Sequence, residues 1–456
     1  MPRTRQPESL YNSCLVYVAV NFHVPFPEGT SVLTVLPPTI SEQIIVVLQQ
    51  CQPTNYALLC HVLGNVLRFV YLGRLPQNQD IAFGMFRQLR QYGDLLTVLH
   101  LPLREEHYDM FVTTLPSLPH LRNLVLHVHD LTEPIADAIG RHCLNLINLC
   151  LYGIRPGNYM RGVVTDDNNY IIHVAIHLVH NMLERLGLRV FRIAFLTQAI
   201  LSLPATTRLQ LTELVMNRQD LLETAGALSH IITLCPNLLK VCLFFSDENQ
   251  IEPLARLAFL EDLSLILVNY KSTVNSSDLI HQLLRSVGYK LRRLGLNAPT
   301  LDMTIIARYC PALQEFQIDN LERIVNATSG TRRLKQLQVL RICLDTPNSL
   351  DPSQLYGLLR NYGRLTRVFL RRCHLEDCEL RDLISSGTFS KLEAFQLEEV
   401  HGFSASSLQL LLRAENDLMV IGLVRCPPVT SADVDELRAL VLSMNLYLKV
   451  EFVPHG

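Results

Sequence analysis

Apolar residues recur along this chain in one spacing, L-x-x-L-x-L, with other aliphatic or aromatic residues standing in for leucine. The string reads Leu96/Leu99/Leu101, Leu121/Leu124/Leu126, Leu146/Leu149/Leu151, Leu188/Phe191/Ile193 and Leu211/Leu214/Met216. It continues through Leu238/Val241/Leu243, Leu260/Leu263/Leu265, Leu291/Leu294/Leu296 and Leu313/Phe316/Ile318. Its last four copies are Leu337/Leu340/Ile342, Leu365/Val368/Leu370, Leu392/Phe395/Leu397 and Leu418/Ile421/Leu423. Twelve steps carry the motif from Leu96 to Leu418, about 27 residues each, inside the range of leucine-rich repeats. A weaker copy precedes them at Leu67/Val70/Leu72, and the alternating tail Leu448, Val450, Phe452 predicts a closing strand.

The last two apolar positions of the string point to one side of a short strand, and the residues between them to the other. One such strand cannot bury its side chains alone, but stacked units share a continuous core. Each strand must return through a crossover, and the intervening segments carry helix signals. Asp351 before Pro352 is a cap followed by proline in the first turn. Asn275 to Asp278 has capping-box-like spacing, and Val434, Leu437, Leu440 and Val441 have helical spacing. Strand-sized motifs followed by separate helix signals argue against an all-helical HEAT-type array. The pattern predicts an α/β leucine-rich-repeat solenoid over residues 65–456, of about 13–14 repeats. It would be a horseshoe with parallel strands on the concave face and helices on the convex face. Residues 1–64 do not follow the repeat and read as a separate small helical module.

Composition narrows the setting. Charged residues make up 18% of the chain and the net charge is −2, so nucleic acid and anionic membrane are not expected partners. The first residues lack the apolar stretch of a secretory signal, and no run of about 18 uncharged apolar residues occurs. The twelve cysteines are spread along the chain, many inside apolar patterns, as free thiols would be in a cytoplasmic or nuclear protein. No phosphate-binding glycine loop, dinucleotide fingerprint or nucleophile elbow is present. We expect no enzyme, no metal and no cofactor.

Several units carry a cysteine just before the leading leucine: Cys235 with Pro236 and Leu238, Cys310 with Pro311 and Leu313, and the related Cys143. This resembles the cysteine-containing repeat subclass of ubiquitin-ligase substrate receptors, both F-box and elongin-binding types.

The N-terminal segment sharpens the resemblance. Leu10, Cys14 and Val18 fall at i, i+4 and i+8, one face of a helix. Leu36, Pro37, Ile40 and Ile44 open a second predicted helix, and the segment from Asn55 to Leu63 suggests a third. The first set resembles an elongin BC box and the second a cullin-2 box; together they resemble the VHL box. A VHL box ahead of leucine-rich repeats is similar to the Zyg family of receptors. The resemblance implies that Leu10 anchors in elongin C beside Cys14 and Val18, while Leu36, Pro37, Ile40 and Ile44 meet the cullin. It implies elongin B/C and a cullin, cullin-2 in preference, as partners. Leu36 and Pro37 followed by apolar helices also resemble the start of an F-box, which would bind Skp1 instead. A plain helical cap over the first repeat is the third reading.

Where a target would bind follows from the alternation. Outward positions include Asn123, Asn148, Arg192, Glu213, Lys240, Asp262, Arg293, Glu315, Gln317, Arg341, Arg367, Phe369 and Gln396. Tyr152, Phe244, Asp319 and Arg371 lie just past them. Arg341, Arg367 and Arg371 fall in neighbouring repeats and would form a basic patch suited to an acidic or phosphorylated segment, with Arg293, Gln317 and Phe369 beside it. Three other features stand out. The polar, turn-rich insertion Arg155–Tyr170 accounts for a 42-residue step from Leu146 to Leu188, and reads equally as a binding loop or a tolerated insertion. His173, His177 and His180 share a helical face, and Cys373, His374 and Cys378 are close in sequence. Neither set matches a zinc-site pattern, so outward histidines and a strand-to-helix turn explain them better.

Overall fold

The structure is a computed structural model. It describes residues 68–71, 79–128, 131–152, 179, 182–183, 186–192, 196–216, 225–245, 251–267, 276–325, 334–346, 349–446 and 448–454. The chain divides into two compact units. In the first, the strands are β1 (Phe69–Tyr71), β2 (Val98–Pro102), β3 (Asn123–His127), β4 (Asn148–Tyr152), β5 (Val190–Arg192) and β6 (Glu213–Val215). They pair in parallel in chain order. The second holds β7 (Lys240–Phe245), β8 (Asp262–Leu267), β9 (Arg293–Asn297), β10 (Thr300–Asp302), β11 (Glu315–Asp319) and β12 (Arg323–Val325). It continues with β13 (Val339–Cys343), β14 (Arg367–Arg371), β15 (Ala394–Glu398), β16 (Val420–Val424) and β17 (Lys449–Val453). Its main sheet runs β7-β8-β9-β11-β13-β14-β15-β16-β17, again all parallel.

Each of the thirteen copies meets one of these strands, its leading leucine two residues ahead and its second apolar position on the strand, and the tail forms β17 as its alternation predicts. The register puts like on like. Leu263, Leu294, Phe316, Leu340, Val368, Phe395 and Ile421 are successive partners across seven strands, and all are fully buried. A slip of one residue would turn this whole row to solvent, so burial fixes the register. At the last strand the core thins: Val450 and Phe452 of β17 are only half-buried.

Helices return the chain between most strands, and their starts follow the sequence signals. Asp351 caps the helix Pro352–Arg360, its carboxylate accepting from the Ser353 amide at 2.8 Å. Thr430 and Asp433 form a reciprocal capping box on Ser431–Ser443. The helix after residue 275 starts at Ser276 and runs to Val287. The buried cysteines Cys143 and Cys310 end the helices Glu133–His142 and Met303–Tyr309, and Cys235 directly follows Ala225–Leu234. The motif cysteine is thus a small apolar plug at the turn from helix to strand.

Two elements have no counterpart in the sequence reading. β10 and β12 make a separate two-stranded parallel sheet, each strand three residues long. Runs that short carry no readable period. The second is backbone: Asn320, Arg372, Glu399 and Arg425, each directly after a strand, have φ between 50° and 59°. The chain leaves β11, β14, β15 and β16 through a left-handed residue, a conformation that the asparagine at 320 tolerates and that arginine and glutamate rarely adopt.

These parallel strands, each with its leucines inward and a helical or turn return, make the leucine-rich-repeat architecture within each unit.

Candidate functional site

The face of the sheet turned away from the buried leucines carries three rows of side chains. In the first unit, the Asn148 side-chain amide donates to Asn123 Oδ1 at 2.5 Å across β3 and β4. His100 and His127 bring their Nε2 atoms to 3.0 Å with stacked rings, and Tyr152 lies 5.1 Å from His127, centroid to centroid. One imidazole must donate and the other accept. Burial, and then the neighbouring His127, push the His100 pKa down. Asn123, Asn148 and Tyr152 are therefore tied into cross-strand contacts. Arg192 and Glu213 lie on β5 and β6.

In the second unit, the first row reads Lys240, Asp262, Arg293, Glu315, Val339, Arg367, Ala394 and Val420. The Asp262 carboxylate lies between Lys240 at 3.5 Å and Arg293 at 3.0 Å, and Asp262 is buried, 8% exposed. The middle row reads Cys242, Ser264, Gly295, Gln317, Arg341, Phe369, Gln396 and Gly422. A Cβ at Gly295 would meet Ser264 Oγ at 2.8 Å, so any larger residue there obliges that hydroxyl to turn aside.

The third row holds Asp319, Cys343, Arg371 and Glu398 as successive partners. The Gln317 amide donates to Asp319 Oδ2 at 2.9 Å. Burial still raises the Asp319 pKa, against that hydrogen bond and one from Cys343. Arg371 Nε stands 3.5 Å from Glu398 Oε1, and Arg425 reaches the same oxygen at 3.1 Å. One residue further along, Glu399 is held by Arg372 at 2.7 Å and by Arg425 at 3.4 Å.

The structure thus divides the six residues predicted to meet a target. Arg293 is spent on Asp262, Gln317 on Asp319 and Arg371 on Glu398. Arg341 and Arg367 are exposed, and neither makes an ion pair or side-chain hydrogen bond among the described residues. Phe369 is half-buried between strands carrying Arg341 and Gln396. The basic patch is therefore smaller than the sequence suggests, because the carboxylates that neutralise Arg371 come from the next repeat. Glu398, Glu399, Arg372 and Arg425 were missed by the sequence reading. Their signal was available: they sit one or two places after the last leucine of consecutive strings.

The adaptor residues Leu10, Cys14, Val18, Leu36, Pro37, Ile40 and Ile44 lie outside the described residues, as do the insertion 155–170 and His173, His177 and His180. Cys373 and Cys378 flank a strand-to-helix turn, the first buried and the second exposed on the helix Asp377–Ser385. Among the described residues no group of three metal-ligating side chains comes together, and no helix is long and apolar enough to cross a membrane.

No family model matches this chain, and no curated protein does. Solved structures align with most of the chain. An internalin, InlF, from Listeria monocytogenes is 12% identical over 87% of this chain and 89% of its own, with a TM-score of 0.34. A chain of the Rad7–Elc1 complex from yeast is 16% identical over 93% of this chain and 96% of its own, with a TM-score of 0.41. At these scores neither likeness says what this chain does.

Proposed function

We propose that the chain is the substrate-recognition subunit of a cullin-RING ubiquitin ligase. Its N-terminal residues would join elongin B/C through Leu10, Cys14 and Val18, and a cullin through Leu36, Pro37, Ile40 and Ile44. The outward face of the repeat sheet would hold the target. The subunit itself carries no chemistry in this scheme: it raises the local concentration of target near the ubiquitin donor. The single observation that supports the reading is order along the chain. Two adaptor-like boxes stand ahead of a series of leucine strings, and within each unit those strings form a parallel sheet with the leucines buried to one side.

An F-box receptor that binds Skp1 is the second reading, favoured by Leu36 and Pro37 opening an apolar helical stretch. A repeat scaffold with no ligase attachment is the third. Affinity capture of the tagged full chain, followed by immunoblotting, separates them. Elongin B/C with a cullin supports the first reading, Skp1 with a cullin the second, and neither the third. Leu10→Ser removes the apolar anchor and should abolish elongin capture while leaving the thermal unfolding of the repeats unchanged. Elongin capture that survives Leu10→Ser overturns the box assignment.

A further inference from the structure

We propose that Arg341, Phe369 and Arg367 form a seat for a phosphorylated side chain on an extended peptide. The inference rests on the reading that the outward face holds a target, and not on ligase attachment.

Across this part of the sheet Asp262, Asp319, Glu398 and Glu399 are each already engaged, by Arg293 and Lys240, by Gln317, by Arg371 and Arg425, and by Arg372 and Arg425. Arg341 and Arg367 are left over. The in-register partners of Arg341 are Gln317 and Phe369; those of Arg367 are Val339 and Ala394. None is acidic. Glu315 and Asp319 lie on the other diagonals of Arg341, one strand back, but neither pairs with it, so the two exposed guanidinium groups repel each other and are stabilised by an anion from outside.

Geometry selects the kind of anion. Arg341 and Arg367 are diagonal neighbours, one strand apart and two residues out of step. Strand spacing and rise place their Cα atoms about 8 Å apart, so both long side chains can close on one group. A single carboxylate is satisfied by one bidentate guanidinium, whereas a phosphate has three oxygens and close to two charges to share between two. Phe369, beside Arg341 in the middle row, offers an apolar footing to a side chain next to the phosphorylated one.

The test uses the full chain and three fluorescent peptide pools, identical in their randomised flanks and fixed at the centre as phosphoserine, glutamate or serine. Anisotropy should show the phosphoserine pool binding at least about tenfold tighter than the other two. Arg341→Gln and Arg367→Gln should each weaken it by about tenfold, the size of one charge-assisted hydrogen bond. Ser264→Ala, on the same row but three strands from Arg341, should leave it unchanged. Thermal unfolding of each variant should match the wild type, since both arginines are exposed. The proposal fails if no pool binds, if glutamate or serine serves as well as phosphoserine, or if both arginine variants bind normally. Elongin capture from the same preparations is read separately. Lost peptide binding with intact capture sinks only the phosphate seat, and the reverse result sinks only the adaptor reading.

Discussion

Arg372 Nε lies 2.7 Å from Glu399 Oε2, and both residues hold left-handed backbone, with φ of 56° and 53°. The hydrogen bond from Arg372 holds the Glu399 carboxyl below its ordinary value of 4.5. A carboxylate depressed on folding stabilises the fold at every pH above its unfolded pKa, and loses that contribution as pH falls through the folded one. The stability advantage of wild type over Glu399→Gln should therefore be flat from about pH 8 to about pH 5 and shrink below that. Urea midpoints across that range measure it. An advantage that grows on acidification would contradict the pairing.

Gly402 is placed by a harder constraint. Its φ is 91°, and an added Cβ would lie 2.7 Å from His374 Nε2 and 2.9 Å from the Leu375 carbonyl oxygen. The carbonyl belongs to a backbone that cannot turn aside. Gly402→Ala should cost about 1–3 kcal/mol from the dihedral alone, before any crowding is added. Denaturant unfolding of the purified variant should show a lower midpoint. An unchanged midpoint would mean that this turn is not formed as described.

The alternation on β15 makes a paired prediction. Phe395 is fully buried and packs its ring 5.6 Å from that of Phe389, while its neighbour Gln396 is exposed on the outward face. Phe395→Ala should cost about 3–5 kcal/mol. Gln396→Ala should stay within about 0.5 kcal/mol of wild type. Equal effects at the two sites would refute the register.

Cysteine chemistry reports the same alternation without mutation. Burial pushes the Cys143, Cys235, Cys310 and Cys373 thiols up to about 12. Cys378 is exposed, although a hydrogen bond to Glu376 raises its pKa as well. Brief treatment of the native protein with a maleimide, read by peptide mass spectrometry, should label Cys378 and spare those four until denaturant is added. Early labelling of Cys310 would show that the plug at the end of Met303–Tyr309 is open.

What could be read from the linear chain was set by local spacing. Leu365, Val368 and Leu370 announce their strand because a strand's side chains alternate whatever lies beside them. Asp351 before Pro352 announces its helix because a cap acts within one turn. Repetition then forces stacking, since no single unit can bury its own leucines. The outward face was legible to the same depth: which residues point away from the core follows from counting by two.

Which of those residues remain open was not legible. Arg371 and Arg367 are the two ends of one strand and look alike in sequence, yet Glu398 from the next repeat takes the first and nothing described takes the second. That difference depends on a partner 27 residues away arriving in register, so only the assembled sheet decides it. The left-handed exits at Arg372, Glu399 and Arg425 have the same origin. Side-chain types alone disfavour them, and cross-strand ion pairs and hydrogen bonds to the adjacent strand hold them in place.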